Sequence, residues 1–387
     1  MTEPLSWITT AITDDLLLGA IELEQTERGV RPHRLPAWVR AQVPEAQLLM
    51  VESQPSGVRL VFRTDATAIA LETVPTKRVY DGMPPRPDGL YDLLVDGQLA
   101  RQGSVPGGDT LRLDMTTGTT TLARGAAGTV LFDNLPQGEK AIELWLPHDE
   151  ATELVALRTN APVTPHRGTE KVWLHHGSSI SHGSNATHPT GTWPAIAAAH
   201  AGLSLLNLGF GGSALLDPAV ARTIRDTPAD RISIKLGINI VNTDLMRLRA
   251  FGPAVHGFLD TIRDGHPETP ILLVSSILCP IHEDTPGPAA PDFSNGSLQF
   301  KAVGNPAEIA AGKLTLNVIR DTLSQIVARR APTDPNLHYL DGRALYGEAD
   351  HARPPLPDRI HPDGATHRLI GERFASQAFA PGAPLAP

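Results

Sequence analysis

Beyond residue 168 the chain repeats one figure: a short apolar run, a turn of glycine or other small residues, then a helix-like segment. Val172-Trp173-Leu174 leads to Gly177. Ser204 to Leu208 leads to Gly209-Phe210-Gly211-Gly212, and Arg231 to Leu236 leads to Gly237-Ile238-Asn239. Pro270 to Ser275 is a fourth, strongly apolar run. Helical segments lie between: Trp193 to His200, Pro218 to Asp226, and Asp244 to Asp264 with Leu248, Phe251, Val255, Leu259 and Ile262 on one face. Asn305-Pro306-Ala307-Glu308 reads as the capped start of another helix, with Leu316, Ile319, Leu323 and Ile326 on its inner face. Leu337 to Leu340 is a last strand and Pro362 to Ala380 a terminal helix. Strands alternating with helices predict a parallel sheet covered on both faces. Reacting groups in such a sheet belong at the carboxyl ends of its strands.

The first half has a different rhythm. Gly57 to Arg63, Ala68 to Glu72, Tyr91 to Val95, Gln98 to Ala100, Thr110 to Leu113, Thr129 to Phe132 and Ala141 to Leu146 are short runs of strand character. Asp96-Gly97 between two of them is a two-residue hairpin signal. Many short strands at such spacing predict a sandwich, jelly-roll-like. Asp14 to Glu24 fits either a short helix or an entry strand, and Leu35 to Arg40 fits one helical turn. A polar stretch with two prolines, Thr159 to Gly168, has linker composition. The expected division is therefore a β-sandwich domain over residues 1–163 and an α/β domain over residues 164–387. A length of 387 residues agrees with two domains of roughly 150 residues or more. The β-domain's surface is read as serving packing or homo-oligomerisation before ligand binding.

Composition removes several classes of function. A net charge of -9 without a basic stripe argues against a nucleic-acid partner. A single cysteine, Cys279, excludes an intrachain disulfide and a cysteine-based zinc cluster, and it reads as a small buried apolar residue. Met1 to Gly19 lacks the basic and apolar regions of a secretory leader, and no stretch approaches the roughly 20 apolar residues of a membrane span. The expectation is a cytoplasmic protein with no membrane partner.

The chemistry gathers at four points. Ser179 follows the first strand in Gly177-Ser178-Ser179-Ile180-Ser181-His182-Gly183, and a serine hydroxyl needs a base to attack at neutral pH. His361 lies in a late loop, and Asp358, three residues upstream, is placed to orient its imidazole and stabilise the imidazolium. The N–H groups of Ser179 and Gly209 and the amide of Asn239 are the available oxyanion donors. The order Gly-x-Ser-Ile-Ser-x-Gly, Asn207-Leu208-Gly209, Gly237-Ile238-Asn239 and Asp358-x-x-His361 resembles the SGNH (GDSL) hydrolases, over about residues 165 to 380. The resemblance implies a flavodoxin-like three-layer α/β/α domain. It implies Ser179 as nucleophile, Gly209 and Asn239 as oxyanion donors, His361 as base and Asp358 as its partner. Ser178 stands where the family has Asp, and Ile240 where Asp is common.

A β-domain before an SGNH domain is similar in architecture to certain carbohydrate esterases. The resulting expectation is a cofactor-free serine esterase that removes a short acyl group, such as acetyl, from a carbohydrate or other polyol. The alternatives are a lipase-like or secondary-metabolite acyl hydrolase with a longer acyl chain, and a non-catalytic carbohydrate-binding protein. Ile180, Trp193, Phe210, His282 and Glu283 are the expected substrate contacts, and the long segment from Ile281 to Gly304 the expected rim of the cleft. His175 and His176 point to opposite faces of a strand, and no carboxylate has ligand spacing to them or to His182, so no metal is expected.

Overall fold

The computed structural model describes residues 6–386 apart from 84, 115, 116, 118, 169 and 295. The chain divides into two compact units. One contains Met1–Pro36, Leu49–Thr169 and His188–Thr190; the other contains Ala37–Leu48, Glu170–Thr187 and Gly191–Pro387.

The second unit is built on five strands: β1 (Val172–Gly177), β2 (Ser204–Gly209), β3 (Arg231–Lys235), β4 (Ile271–Val274) and β5 (Leu337–Leu340). All neighbours are parallel, in the order β2-β1-β3-β4-β5. This is the doubly wound order in which the chain reverses direction at the first strand, and ligands bind at that switch point. β3 and β4 are buried along their whole length, as expected of strands covered on both faces.

The strand ends hold the site. α1 (Ser179–His182) follows β1 after one residue, and α2 (Trp193–Ala201) follows a loop. α3 (Pro218–Asp226) has proline at its start and buries Val220, Thr223 and Ile224. The helix expected from Asp244 to Asp264 begins only at Leu248, as α5 (Leu248–Gly265), and is split from a separate short helix that precedes it, α4 (Ile238–Asn242). The cause is local, because Asp244 has φ +49, outside the helical region. The helix expected to open at Asn305 is likewise split. A 3-10 segment, Pro306–Ala311, is capped by the Asn305 side chain and ended by Gly312 at φ +88. α6 (Leu316–Arg330) then starts at Thr315, whose hydroxyl accepts the Val318 N–H. The last helix, α7 (Gly364–Phe374), begins at the Asp363 cap rather than at Pro362. The segment from Ile281 to Gly304 carries an antiparallel hairpin, Ala289–Asp292 with Gln299–Ala302.

The first unit is a pair of sheets with one core. Ile69, Leu71, Val130, Leu154 and Leu157 come from one sheet, and Leu60, Phe62, Tyr91, Leu93, Ile142 and Leu144 from the other. Asp96 and Gly97 take φ +49 and +77 between strands Leu90–Val95 and Gln98–Ser104, as the Asp-Gly turn requires. The strand Ala151–Thr159 was not among the expected ones, yet it pairs along Ile69–Tyr80. Asp14 to Glu24 becomes a 3-10 turn, Asp14–Leu16, followed by short strands, and Ala37–Gln42 is a helix. Among the described residues no helix is long and apolar enough to cross a membrane.

Candidate active site

β1 and β2 end in register at Gly177 and Gly209, and the turn bearing Ser179 packs directly on both. A Cβ on Gly209 would lie 2.5 Å from the His182 nitrogen and 2.6 Å from the Ser181 carbonyl carbon. A Cβ on Gly177 would meet the Ser181 side chain, 2.9 Å from its Cβ. Both glycines are therefore imposed by the close approach of α1. The turn is then tied down by polar contacts. Asn207 Nδ2 donates to the Ser181 carbonyl (2.9 Å), and His182 Nδ1 donates to the Gly209 carbonyl (3.1 Å). His175 bridges Ser233 Oγ (2.7 Å) and Ser181 Oγ (2.8 Å). Burial holds His175 well below its usual range, with His176 and Lys235 adding to the effect. It is a neutral strut and not a proton carrier at pH 7.

Ser179 Oγ lies 2.9 Å from His361 Nε2, and His361 Nδ1 lies 2.7 Å from Asp358 Oδ2. Asp358 Oδ1 accepts the N–H groups of Ile360 (2.9 Å) and His361 (2.7 Å). Burial pushes the Asp358 carboxyl up, but the His361 side chain and these two N–H bonds outweigh it, and the group is held below its ordinary value. Asp358 is thus a carboxylate with one oxygen spent on the loop and the other on the imidazole. Arg359 between them has φ +72.

The expected oxyanion donors divide. The Ser179 N–H opens a helical turn and makes no hydrogen bond among the described residues. Asn239 is buried at the start of α4, and its Oδ1 accepts the Ala214 N–H at 3.1 Å. That bond fixes which way the amide faces and leaves Nδ2 to donate. Gly209 does not fit its expected role, since its N–H is donated to Asn207 Oδ1 at 2.9 Å. Gly212 is the glycine that sequence reasoning passed over. It has φ +76, its N–H makes no hydrogen bond among the described residues, and it stands two residues before Ala214. Its loop is held by Gln47, whose Nε2 donates to the Gly211 carbonyl at 2.7 Å. The run Gly209-Phe210-Gly211-Gly212 signalled a glycine but not which N–H was already engaged.

The five expected substrate contacts are committed elsewhere. Trp193 is fully buried among Trp173, His175 and Phe374, with ring centroids 6.1, 4.7 and 5.0 Å away. Phe210 is fully buried beside His176 (5.9 Å), and Ile180 is buried under the nucleophile turn. His282 is buried and donates from Nδ1 to the Thr285 carbonyl (3.1 Å). Glu283 accepts from Arg320 Nη2 (2.9 Å) and from the Cys279 N–H (2.8 Å). In the structure each is engaged in packing or in loop structure. Cys279 is buried as expected, and burial pushes its thiol up to about 12.

A family model described as GDSL-like lipase/acylhydrolase matches residues 170–282, which include Ser179, Gly212 and Asn239. The second domain belongs to the GDSL-like lipase/acylhydrolase family. This GDSL domain makes the chain a serine hydrolase, an enzyme that cleaves or transfers acyl esters. A second model, the SsfX3 N-terminal domain, matches residues 16–154. Salicylyl-acyltransferase SsfX3 from a tetracycline biosynthetic pathway is 29% identical, with 96% of each chain covered and a TM-score of 0.77. An acetyl xylan esterase, Est2A, from the rumen bacterium Butyrivibrio proteoclasticus is 11% identical, covering 96% of this chain and 98% of its own, with a TM-score of 0.53. A family two carbohydrate esterase from Cellvibrio japonicus is 13% identical over 96% of this chain and 97% of its own, with a TM-score of 0.54. At those identities the two esterases share the fold with this chain. No curated protein matches it.

Proposed function

We propose that the GDSL domain carries an acyl group on Ser179 Oγ and passes it to water or to a hydroxyl acceptor. The observation behind this reading is the continuous path from Ser179 through His361 to Asp358, with separations of 2.9 and 2.7 Å. His361 Nε2 takes the serine proton as Oγ attacks the acyl carbon, and Asp358 stabilises the imidazolium that results. The negative charge that develops on the acyl oxygen is met by the N–H groups of Ser179 and Gly212 and by Asn239 Nδ2. One such donor is worth roughly 3 kcal/mol. Collapse expels the alcohol, which leaves with the proton held by His361. A second nucleophile then reverses the steps.

The acyl group in this reading is an aroyl or similarly bulky group, nearer to the secondary-metabolite alternative with its longer acyl chain than to acetyl. Its support is the relation to SsfX3 along both domains, at 29% identity over 96% of the chain. Removal of acetyl from a carbohydrate is the second reading, and its support is the shared two-domain architecture. p-Nitrophenyl esters of graded acyl size separate the two. Benzoate turned over with at least the kcat/KM of acetate favours the first, and a strong acetate preference with acetate release from acetylated xylan favours the second. Ser179→Ala removes p-nitrophenolate release from both esters by a factor of about 10^3 or more while the far-ultraviolet circular dichroism is retained. A variant that keeps the wild-type rate overturns the acyl-enzyme reading.

A further inference from the structure

The hairpin Ala289–Asp292/Gln299–Ala302 is fastened to the loop that carries the base. The Phe300 N–H donates to the Asp358 carbonyl at 3.1 Å. The Phe300 ring stands edge-on to the His361 imidazole, with centroids 6.2 Å apart and planes at 74°. Alternation along the strand turns Gln299 and Lys301 to the other face of the hairpin. Phe300 is half-buried. The hairpin and its exit also hold Phe293 and Val303 out to solvent, 54% and 51% exposed.

Acyl transfer through Ser179 determines which half of the substrate meets this wall. His361 Nε2 must give its proton to the oxygen that leaves and take one from the oxygen that attacks. That oxygen therefore sits about 3 Å from Nε2. The acyl oxygen points away from it, toward the Ser179 N–H and Asn239. The carbon skeleton of the alcohol extends from that oxygen into the surroundings of the imidazole, where Phe300 supplies an aromatic ring 6.2 Å away.

We propose that Phe300 and its hairpin select the alcohol half of the reaction, favouring flat apolar alcohols over polyols as leaving group and acceptor. The inference rests on the acyl-enzyme reading above and adds the substrate class on the alcohol side. In the transfer step the acceptor O–H gives its proton to His361 Nε2 and its oxygen bonds to the acyl carbon. The bond from that carbon to Ser179 Oγ breaks, and Oγ regains a proton from His361. No other reactant is needed. Phe300 acts by contact with the alcohol's ring, as edge or offset stacking allows.

The test keeps the acyl group constant. The full chain is acylated from p-nitrophenyl acetate in the presence of equal concentrations of benzyl alcohol and glycerol. p-Nitrophenolate reports acyl-enzyme formation, and chromatography measures benzyl acetate, glycerol acetate and free acetate. The wild type is expected to form benzyl acetate in about tenfold excess over glycerol acetate, and Phe300→Ala to lower that ratio about tenfold. Phe300→Tyr, which keeps the ring, restores it. Because the readout is a ratio, any general loss through a displaced His361 cancels. An unchanged ratio in Phe300→Ala, a wild type that favours glycerol, or p-nitrophenolate release with no ester of either alcohol overturns this inference alone. Absence of p-nitrophenolate release from the wild type overturns the acyl-enzyme reading together with it. Should Phe300→Ala fail to fold, Phe300→Leu removes the ring while keeping the bulk, and the same ratio decides.

Discussion

Arg359 separates the carboxylate from the imidazole, and its φ of +72 is what lets Asp358 Oδ1 reach the N–H groups of Ile360 and His361 together. A side chain in that region costs about 1–2 kcal/mol, and the Arg359 side chain offsets little of it. Its nearest acid is Asp292 at 3.8 Å, and it is 39% exposed. Arg359→Gly relieves the backbone but raises the entropy of the unfolded chain, an opposing cost of about 0.5–1 kcal/mol. Stability within about 1 kcal/mol of wild type and kcat within about threefold are expected. Arg359→Val adds β-branching in a region that such residues avoid. It is expected to lose about 2 kcal/mol and more than tenfold in kcat, as the loop shifts both members of the pair. Chemical denaturation and steady-state kinetics check both, and equal behaviour of the two variants would show that the conformation is not needed. Ser178 is legible by the same kind of argument. Its side chain is 2% exposed, and its Oγ has no hydrogen-bond partner among the described residues. A carboxylate in that place would be buried where the hydroxyl finds no hydrogen-bond partner among the described residues, so the small hydroxyl suits this version of the loop.

At the scale of elements, the nucleophile turn is a joint between two strands, and Asn207 is its fastener. The side chain is fully buried, giving Nδ2 to the Ser181 carbonyl and accepting the Gly209 N–H. Asn207→Ala leaves both backbone groups buried without this partner. At about 1–3 kcal/mol for each such group, a loss of about 2–5 kcal/mol is expected. kcat should fall with stability, because Ser179 stands two residues from the released carbonyl. Thermal denaturation beside kcat measurement decides, and a stability change below about 1 kcal/mol would mean that water replaces the amide. This joint also shows what a sequence hides. The apolar runs and the glycines after them mark where strands stop, so the positions of Ser179 and Asn239 were legible. Whether a glycine is there to donate or to admit a neighbour depends on contacts made across the sheet. Gly209 admits α1, and the unengaged N–H lies three residues on at Gly212. The aromatic and acidic residues expected to touch substrate have internal partners that periodicity does not show. Trp193 and Phe210 are buried in aromatic packing and His282 is tied to its own loop, while Phe300 of the hairpin lies beside the imidazole.

At the scale of the molecule, the two rhythms of the chain were enough to distinguish a β-rich unit from an α/β unit. They were not enough to assign every segment. Residues 37–48 group with the α/β unit, where Trp38 lies 4.7 Å from the Arg222 guanidinium and Gln47 holds the Gly211 carbonyl. Such partners are 164 and more residues away in the chain, and local periodicity carries no sign of them. The β-rich unit has its own dependence on pH, set by two acids with opposite shifts. Asp109 is held down to about 2, first by Arg28 and then, against some burial, by the Gly125 N–H and Arg124. It stabilises the fold above about pH 4, and that stabilisation is lost as pH falls toward 2. Glu150 is 6% exposed, and burial raises it to about 7; the Gly89 N–H and Lys77 oppose this, and Asp149 and Asp88 add to it. Here the folded chain keeps a proton that the unfolded chain releases near pH 4.3. Stability therefore falls as pH rises from about 4.3 to 7 and stays reduced above that, by about 4 kcal/mol. Between them, these two acids contribute most near pH 4–5, beside the separate contributions of Asp92, His148 and Glu153. Glu150→Gln keeps the shape of the protonated side chain and cannot ionise. Its Tm is expected to match wild type at pH 4.5 and to exceed it by about 5 °C or more at pH 8. Calorimetry at the two pH values decides: a difference that is the same at both would mean that Glu150 is ionised in the folded chain throughout, and that its carboxylate is solvated within the unit despite its burial.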